Sequence, residues 1–349
     1  MTDMSEQDET RSEQAEERSL QALPEKTQGE GGKYPARLWL RERLLDRARA
    51  EGGALYAILD AARNVEVLSG VVRFEQIGHS LYRGLPEEPL SDVAPYLVRL
   101  DDNGEMLEWL LDRGWGLAWS VFLVARANPE DLRGHFARLV TVMDEEGTEM
   151  YFRFYDPRVL RVFLPTCTAS ELDRLFGPAS SFLVESDRGS ELLAWSRAEK
   201  GLRLESCALE STGEDILIDL VADEETGEDQ HGPLVIHSAQ LDAFYDHSRS
   251  NYEGRLAAEF QAVQAQRPCD LPDLAGEALL ERIHGAVDKA LEYGVDEEDD
   301  LTAFVDITFR LGEDFDQDPK HDWAVKILQD PGLEGHAKVE RIRRNLDVG

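Results

Sequence analysis

Apolar residues recur in two rhythms along the first two thirds of the chain. Leu38, Leu40, Leu44, Leu45 and Ala48 fall at helical spacing, and Gly52-Gly53 closes that run. "LYAILD", ending at Asp60, and "APYLVRL" read as buried strands. "GEMLEWLLDRG" predicts a helix with Met106, Leu107, Leu110 and Leu111 inward and Gly114 at its end. "WGLAWSVFLVA" predicts a long apolar strand from Trp115 to Ala125. "NPEDLRGHFARLVTVM" opens a helix with Asn128 as N-cap and Pro129 in the first helical position. In "EMYFRFYD" the period drops to two: Met150, Phe152 and Phe154 share one face, and Tyr151, Arg153 and Tyr155 the other. A capped helix, "TASELDRLFG", and strands at "SSFLVES", "ELLAWSR" and "GLRLE" follow.

Beyond Pro233 only the helical rhythm remains. Leu241, Phe244, Tyr245, Tyr252, Leu256 and Phe260 recur every three or four residues. Leu280, Ile283, Val287 and Leu291 do the same, as do Leu301, Phe304, Val305 and Thr308. The expected fold class is an α/β (α+β) N-terminal lobe, with a mixed β-sheet flanked by helices, followed by an all-helical C-terminal lobe. The expected divisions are a disordered acidic tail over 1–34, the α/β domain over 35–205, an acidic linker or edge strand over 206–232, and the helical domain over 233–349. "EDILID" is the candidate edge strand.

Composition narrows the function. The net charge is −34 over 349 residues. That argues against nucleic acid or an anionic membrane face as partner, since both require clustered Lys and Arg. No apolar run approaches the ~18 residues of a bilayer span, and "MTDMSEQDETRSEQAEERS" lacks the basic and apolar regions of a signal peptide. Cys167, Cys207 and Cys269 are far apart and form no CxxC, so neither a disulfide framework nor a zinc site is expected. A cytoplasmic protein without membrane insertion or nucleic-acid partner is the natural expectation.

Local catalytic signatures are missing from the sequence. There is no phosphate-binding glycine loop, no HExxH and no GxSxG. "DFDQDPKHDWAV" starts like a calcium loop, but Pro319 and Val325 replace the Gly and Glu that such a loop needs. No cofactor and no metal is expected. The densest chemistry lies in "YFRFYDPR". There Asp156 ends a strand, Pro157 begins a helix where a missing N–H costs nothing, and Asp156 is placed to cap that helix. Arg153 or Arg158 then suits a bidentate pair with a carboxylate such as Asp60. Asp60, Arg63, Asp156 and Pro157 are the candidate structural joint. Tyr151, Arg153, Tyr155 and Arg158 are the candidate partner-binding face, a composition common at interface anchors.

"YAILDAAR", "SLYRG", "APYLVRL", "WLLDRGWGLAWSVFLVA", "FRFYDPRVL" and "LDRLFGP", in that order, resemble the effector-adaptor (effector-chaperone) family of bacterial type VI secretion systems. The resemblance runs from about Leu55 to Trp195. It implies a non-enzymatic cytoplasmic adaptor of a Gram-negative bacterium. Its partners would be a secreted toxic effector and the VgrG spike, the PAAR cap protein, or both. Two other classes compete. One is an acidic, immunity-like inhibitor of a basic toxin. The other is a hydrolase using Asp60 and Asp156 as paired carboxylates, with His79 nearby. Effector binding is expected to centre on the N-terminal lobe, where Tyr82, Tyr96, Trp109, Trp115, Trp119, Tyr151 and Tyr155 exceed what one sheet face needs.

Overall fold

A computed structural model describes residues 33–75, 80–82, 91–100, 104–209, 215–222, 233–266 and 274–348. The elements of the N-terminal unit, in chain order, are α1 (Lys33–Glu51), β1 (Ala54–Asp60), α2 (Val65–Arg73), β2 (Pro95–Arg99), α3 (Gly104–Arg113), β3 (Ser120–Ala125), α4 (Pro129–Leu139), β4 (Thr141–Asp144), β5 (Glu149–Tyr151), α5 (Pro157–Phe163), α6 (Ala169–Phe176), β6 (Ala179–Glu185), β7 (Glu191–Ala198), β8 (Gly201–Ala208), β9 (Ile216–Val221) and β10 (Val235–Ile236). The first turns of α7 (Ser238–Gln266) complete it.

The near-continuous apolar runs of β1 and β3 follow from their place in the middle of a seven-stranded sheet, ordered β2-β1-β3-β6-β7-β8-β9. Both faces are covered. Tyr56, Ile58, Leu123, Phe182 and Trp195 point into one core with Phe136, Phe154, Phe163 and Phe176. Leu55, Ala57, Leu59, Phe122 and Val124 point into another with Leu40, Leu44, Leu107, Leu110 and Trp119. A strand buried on both faces loses the apolar–polar alternation of a half-exposed one. Every pairing in this sheet is antiparallel. Among the described residues, the parallel pairing that makes a sheet mixed occurs only in the small sheet β10-β4-β5, between β10 and β4.

Two strands are shorter than their apolar pattern predicts. Trp115 to Ala118 form a turn, so β3 begins at Ser120. The turn needs left-handed backbone, with φ of 85° at Gly116 and 57° at Ala118. The second strand, β5, stops at Tyr151, because the chain bends away toward α5. The helix expected over 128–143 ends at Leu139, and the β-branched Thr141 and Val142 pass into β4.

The sheet extends beyond residue 205. Strand β8 runs to Ala208 and β9 pairs with it over Ile216 to Val221. The compact unit continues to Phe244, whereas the sequence places a boundary in 206–232. Residues 1–32 of the acidic tail, together with 210–214 and 223–232 of the acidic segment, lie outside the described residues.

The second unit, from Tyr245, has helices as its only regular elements among the described residues. It comprises the rest of α7, α8 (Glu277–Glu292), α9 (Glu298–Leu311), α10 (Asp322–Leu328) and α11 (Gly335–Val348). Its core holds Leu256, Leu279, Ile283, Val287, Phe304, Val305, Phe315, Leu328 and Ile342. Of the stripe expected on α7, Leu241 and Tyr245 are exposed instead of inward. The acids of "DFDQDPKH" are held within the unit. Asp316 binds Lys289 Nζ at 2.5 Å and Tyr293 Oη at 3.1 Å, and Asp318 accepts from the Lys320 N–H at 2.9 Å.

Candidate functional site

The "YFRFYDPR" stretch forms a joint between the small sheet and α5. Strand β5 pairs Tyr151 with Thr141, and Phe152 N–H donates to Val140 O at 2.8 Å before the chain leaves the sheet. A tight turn follows, with Asp156 N–H on Arg153 O at 2.9 Å. Asp156 is the N-cap of α5 and Pro157 its first residue. The Asp156 Oδ1 accepts from Arg158 N–H at 3.0 Å, and the Arg158 guanidinium folds back onto both carboxylate oxygens, at 3.0 and 2.6 Å. Phe152, Phe154, Leu160 and Phe163 anchor the joint in the core.

At the same end of the large sheet, Asp60 terminates β1 with its side chain fully buried. Its Oδ2 meets the Arg153 guanidinium, and its Oδ1 accepts from Ala62 N–H at 3.1 Å. Thus Arg153 is the arginine that pairs with Asp60, while Arg158 stays on Asp156. Arg63, the next arginine along, is exposed and donates from Nε to Leu117 O at 3.2 Å.

A third buried carboxylate completes this end. Glu185, the last residue of β6, accepts from Gly116 N–H at 2.6 Å and Ala118 N–H at 2.7 Å. It thereby holds the two left-handed residues of the 115–118 turn. Trp115 Nε1 donates to Gly189 O at 2.8 Å, and a Cβ on Gly189 would lie 2.8 Å from Gly116 Cα. The two loops abut so closely that only glycine fits. Arg161 NH1 donates to Glu185 O at 2.6 Å, and its NH2 pairs with Asp187.

Burial raises the carboxyls of Asp60 and Glu185 above the ordinary range. Arg153 beside Asp60, and the two turn N–H groups beside Glu185, act in the lowering direction. The charge of Asp156 pushes both upward. Three acids and their arginines therefore share one field at the end of the sheet. All four oxygens of Asp60 and Asp156 are engaged by guanidinium or backbone N–H groups. The arrangement is a clamp that fixes a turn, a strand end and a helix start together.

Of the residues expected on a partner face, Tyr151 is 71% exposed, and the Arg153 and Arg158 side chains are both about half exposed. Tyr155 is a correction. It is 2% exposed and packs edge-on against Phe154 at 5.5 Å. With β5 ended at Tyr151, the alternation that would turn Tyr155 outward no longer applies, and the turn at Phe154-Tyr155 points it inward. Burial, and then a hydrogen bond with Tyr82, push its phenol well above the usual range. The expected excess of surface aromatics is reduced in the same way. Tyr96 and Trp119 are buried; Tyr82, Trp109 and Trp115 are half-buried. Tyr82 lies 6.4 Å from Tyr151, ring to ring. His79 and Cys269 lie outside the described residues; Cys167 and Cys207 are buried.

Sequence reasoning missed Glu185 and Arg161. One signal was available for Glu185: "SSFLVE" ends an apolar strand on a carboxylate, as "YAILD" does. The family DUF4123, described as a domain of unknown function, matches residues 55–174. That span is about a third of the chain, and it contains Asp60, Arg63 and the whole joint from Tyr151 to Arg158. Glu185 and β7 to β10 lie beyond it. No curated protein and no solved structure gives a significant match to the chain.

Proposed function

We propose that this chain is a non-enzymatic adaptor that holds a secreted toxic effector and presents it to the VgrG spike, or to its PAAR cap, of a type VI secretion system. The observation that carries the reading is the DUF4123 match, whose span encloses the clamped joint. The ordered motifs that resemble the adaptor family fall mostly within the same span. The joint displays Tyr151, Arg153 and Arg158 on a rigid base. An exposed aromatic ring and two half-exposed guanidinium groups within one short stretch suit a protein partner: Tyr and Arg are enriched among the anchors of interfaces, and a fixed base lowers the ordering cost of binding.

Two features weigh against a hydrolase built on Asp60 and Asp156. General acid–base chemistry needs a carboxylate free to exchange a proton with substrate. Here each is bound to its own arginine and to a backbone N–H. An inhibitor acting by charge mimicry would depend steeply on salt, whereas an anchor centred on Tyr151 would not.

The test is titration of the full chain with a purified candidate toxin chosen from the genes that neighbour its own. Tyr151→Ala combined with Arg158→Ala is expected to weaken binding about tenfold or more, with a similar loss at low and high salt. Wild-type affinity in this variant, or binding that vanishes with salt alone, contradicts the reading.

A further inference from the structure

The outer edge of β9 carries no partner strand among the described residues, since the sheet ends there. Its six residues, Ile216-Leu217-Ile218-Asp219-Leu220-Val221, are apolar at five positions. Leu217 is 60% exposed and Val221 79%, and Ile216 and Ile218 are exposed as well. Natural edge strands are kept short or blunted with Lys, Pro or bulges, because unpaired N–H and C=O groups template further pairing. This strand has neither Lys nor Pro, and it pairs with β8 in unbroken register from Ser206↔Ile216 to Gly201↔Val221.

An apolar ladder runs out to this edge. Leu123 pairs with Phe182, Phe182 with Trp195, Trp195 with Leu204, and Leu204 with Ile218. Residues paired across antiparallel strands share a face, so the rung is continuous. It starts in the buried core at Leu123 and reaches solvent at Ile218. Another strand would extend the rung by one side chain and cover Ile218. On the opposite face, Asp219 is held by Arg203 at 2.6 Å, between the exposed Leu217 and Val221.

We infer that the β9 edge is a docking site for an extended segment of another protein, apolar at alternate positions and basic between them. Charge decides the occupant. Residues 205–232 hold ten acids and no Lys or Arg; Glu205, Asp215 and Asp219 are paired with Arg47, Arg43 and Arg203, which leaves the seven acids of the flanking sequence. The apolar strand thus lies within a strongly acidic stretch of chain, and a strand carrying lysine or arginine gains from the field. A second copy brings the same acidic stretch and a further net charge of −34. The first 32 residues of this chain hold nine acids against three Lys or Arg and so do not have the composition of the proposed segment. Backbone pairing supplies the affinity and the alternating side chains the register, as in other strand additions. This surface is separate from the Tyr151 joint, and the inference does not rest on the adaptor reading.

The probe is a synthetic peptide alternating isoleucine and lysine, titrated against the full chain. Two controls accompany it: the isoleucine–glutamate counterpart, and a lysine peptide of equal charge interrupted by proline. The lysine peptide is expected to bind at least about tenfold tighter than either control. It is also expected to slow hydrogen exchange in residues 216–221. Leu217→Lys and Val221→Lys change exposed side chains, so both are expected to keep the wild-type melting temperature while losing about tenfold in affinity. Equal binding of the proline-interrupted peptide, or protection that maps away from 216–221, overturns the inference. Concentration-dependent dimerisation of the wild type that Leu217→Lys abolishes overturns it too, because the edge then belongs to a second copy.

Discussion

Arg153 and Tyr151 do different work although only Phe152 separates them. Arg153 neutralises a carboxylate that the sheet buries, whereas Tyr151 extends from the last position of a strand into solvent. Arg153→Ala leaves Asp60 with a single N–H partner, at a cost of about 1.5–3 kcal/mol for a lost hydrogen bond to a charged group. The pH dependence has a definite sign. Burial already raises the Asp60 carboxyl, and losing Arg153 raises it further. The folded variant then binds a proton more readily than the unfolded chain does, so the deficit is full at neutral pH and shrinks as pH falls through the raised value. Thermal melts of wild type and variant at several pH values between neutral and mildly acidic check this; a deficit that grows on acidification contradicts it. The two tyrosines separate in the same assay. Tyr155→Ala empties a core position and is expected to cost about 3–5 kcal/mol. Tyr151→Ala is expected to stay within about 0.5 kcal/mol of wild type. Equal melting losses in the two variants would place Tyr151 in the core as well.

At the level of elements, the turn at 115–118 is held by Glu185 from outside its own segment. Glu185→Ala leaves two N–H groups without their acceptor, at about 1–3 kcal/mol each where no water reaches them. Faster hydrogen exchange at Gly116 and Ala118 is the expected mark. Ala118 already has φ of 57°, a left-handed backbone that costs a residue with a Cβ about 1–2 kcal/mol. Ala118→Gly should therefore be neutral or stabilising in chemical denaturation, unlike an ordinary Ala-to-Gly change; a loss of about 1 kcal/mol would mean that the strain is absent. These contacts explain what the sequence conceals. The run from Trp115 to Ala125 reads as one strand because its apolar residues are uninterrupted, yet the left-handed turn depends on a carboxylate some seventy residues away. Helix caps depend only on neighbours, so they are legible. Asn128 and Thr168 accept from N–H groups three residues on, and Asp156 from one two residues on. The Tyr151–Tyr155 alternation fails for the opposite reason: the aspartate and proline that start α5 also pull Tyr155 out of strand geometry.

Over the whole molecule, the fold class follows from hydrophobic period, because the shift from mixed to purely helical rhythm marks the change from a sheet-based unit to a helical one. The candidate site was legible as a joint, since a cap and a proline at a helix start are local signals. Its third acid was not, because β6 reaches Asp60's end of the sheet only through strand order. On the adaptor reading proposed above, a rigid, acid-and-arginine clamp displays a partner surface and performs no chemistry of its own. The most direct test is secretion of a toxin that binds the purified chain, measured in the host bacterium with this gene deleted and then restored. Deletion is expected to abolish release of that toxin while the tube protein of the secretion system is still exported, and the wild-type gene is expected to restore release. Undiminished toxin release in the deletion strain contradicts the account, and so does simultaneous loss of the tube protein.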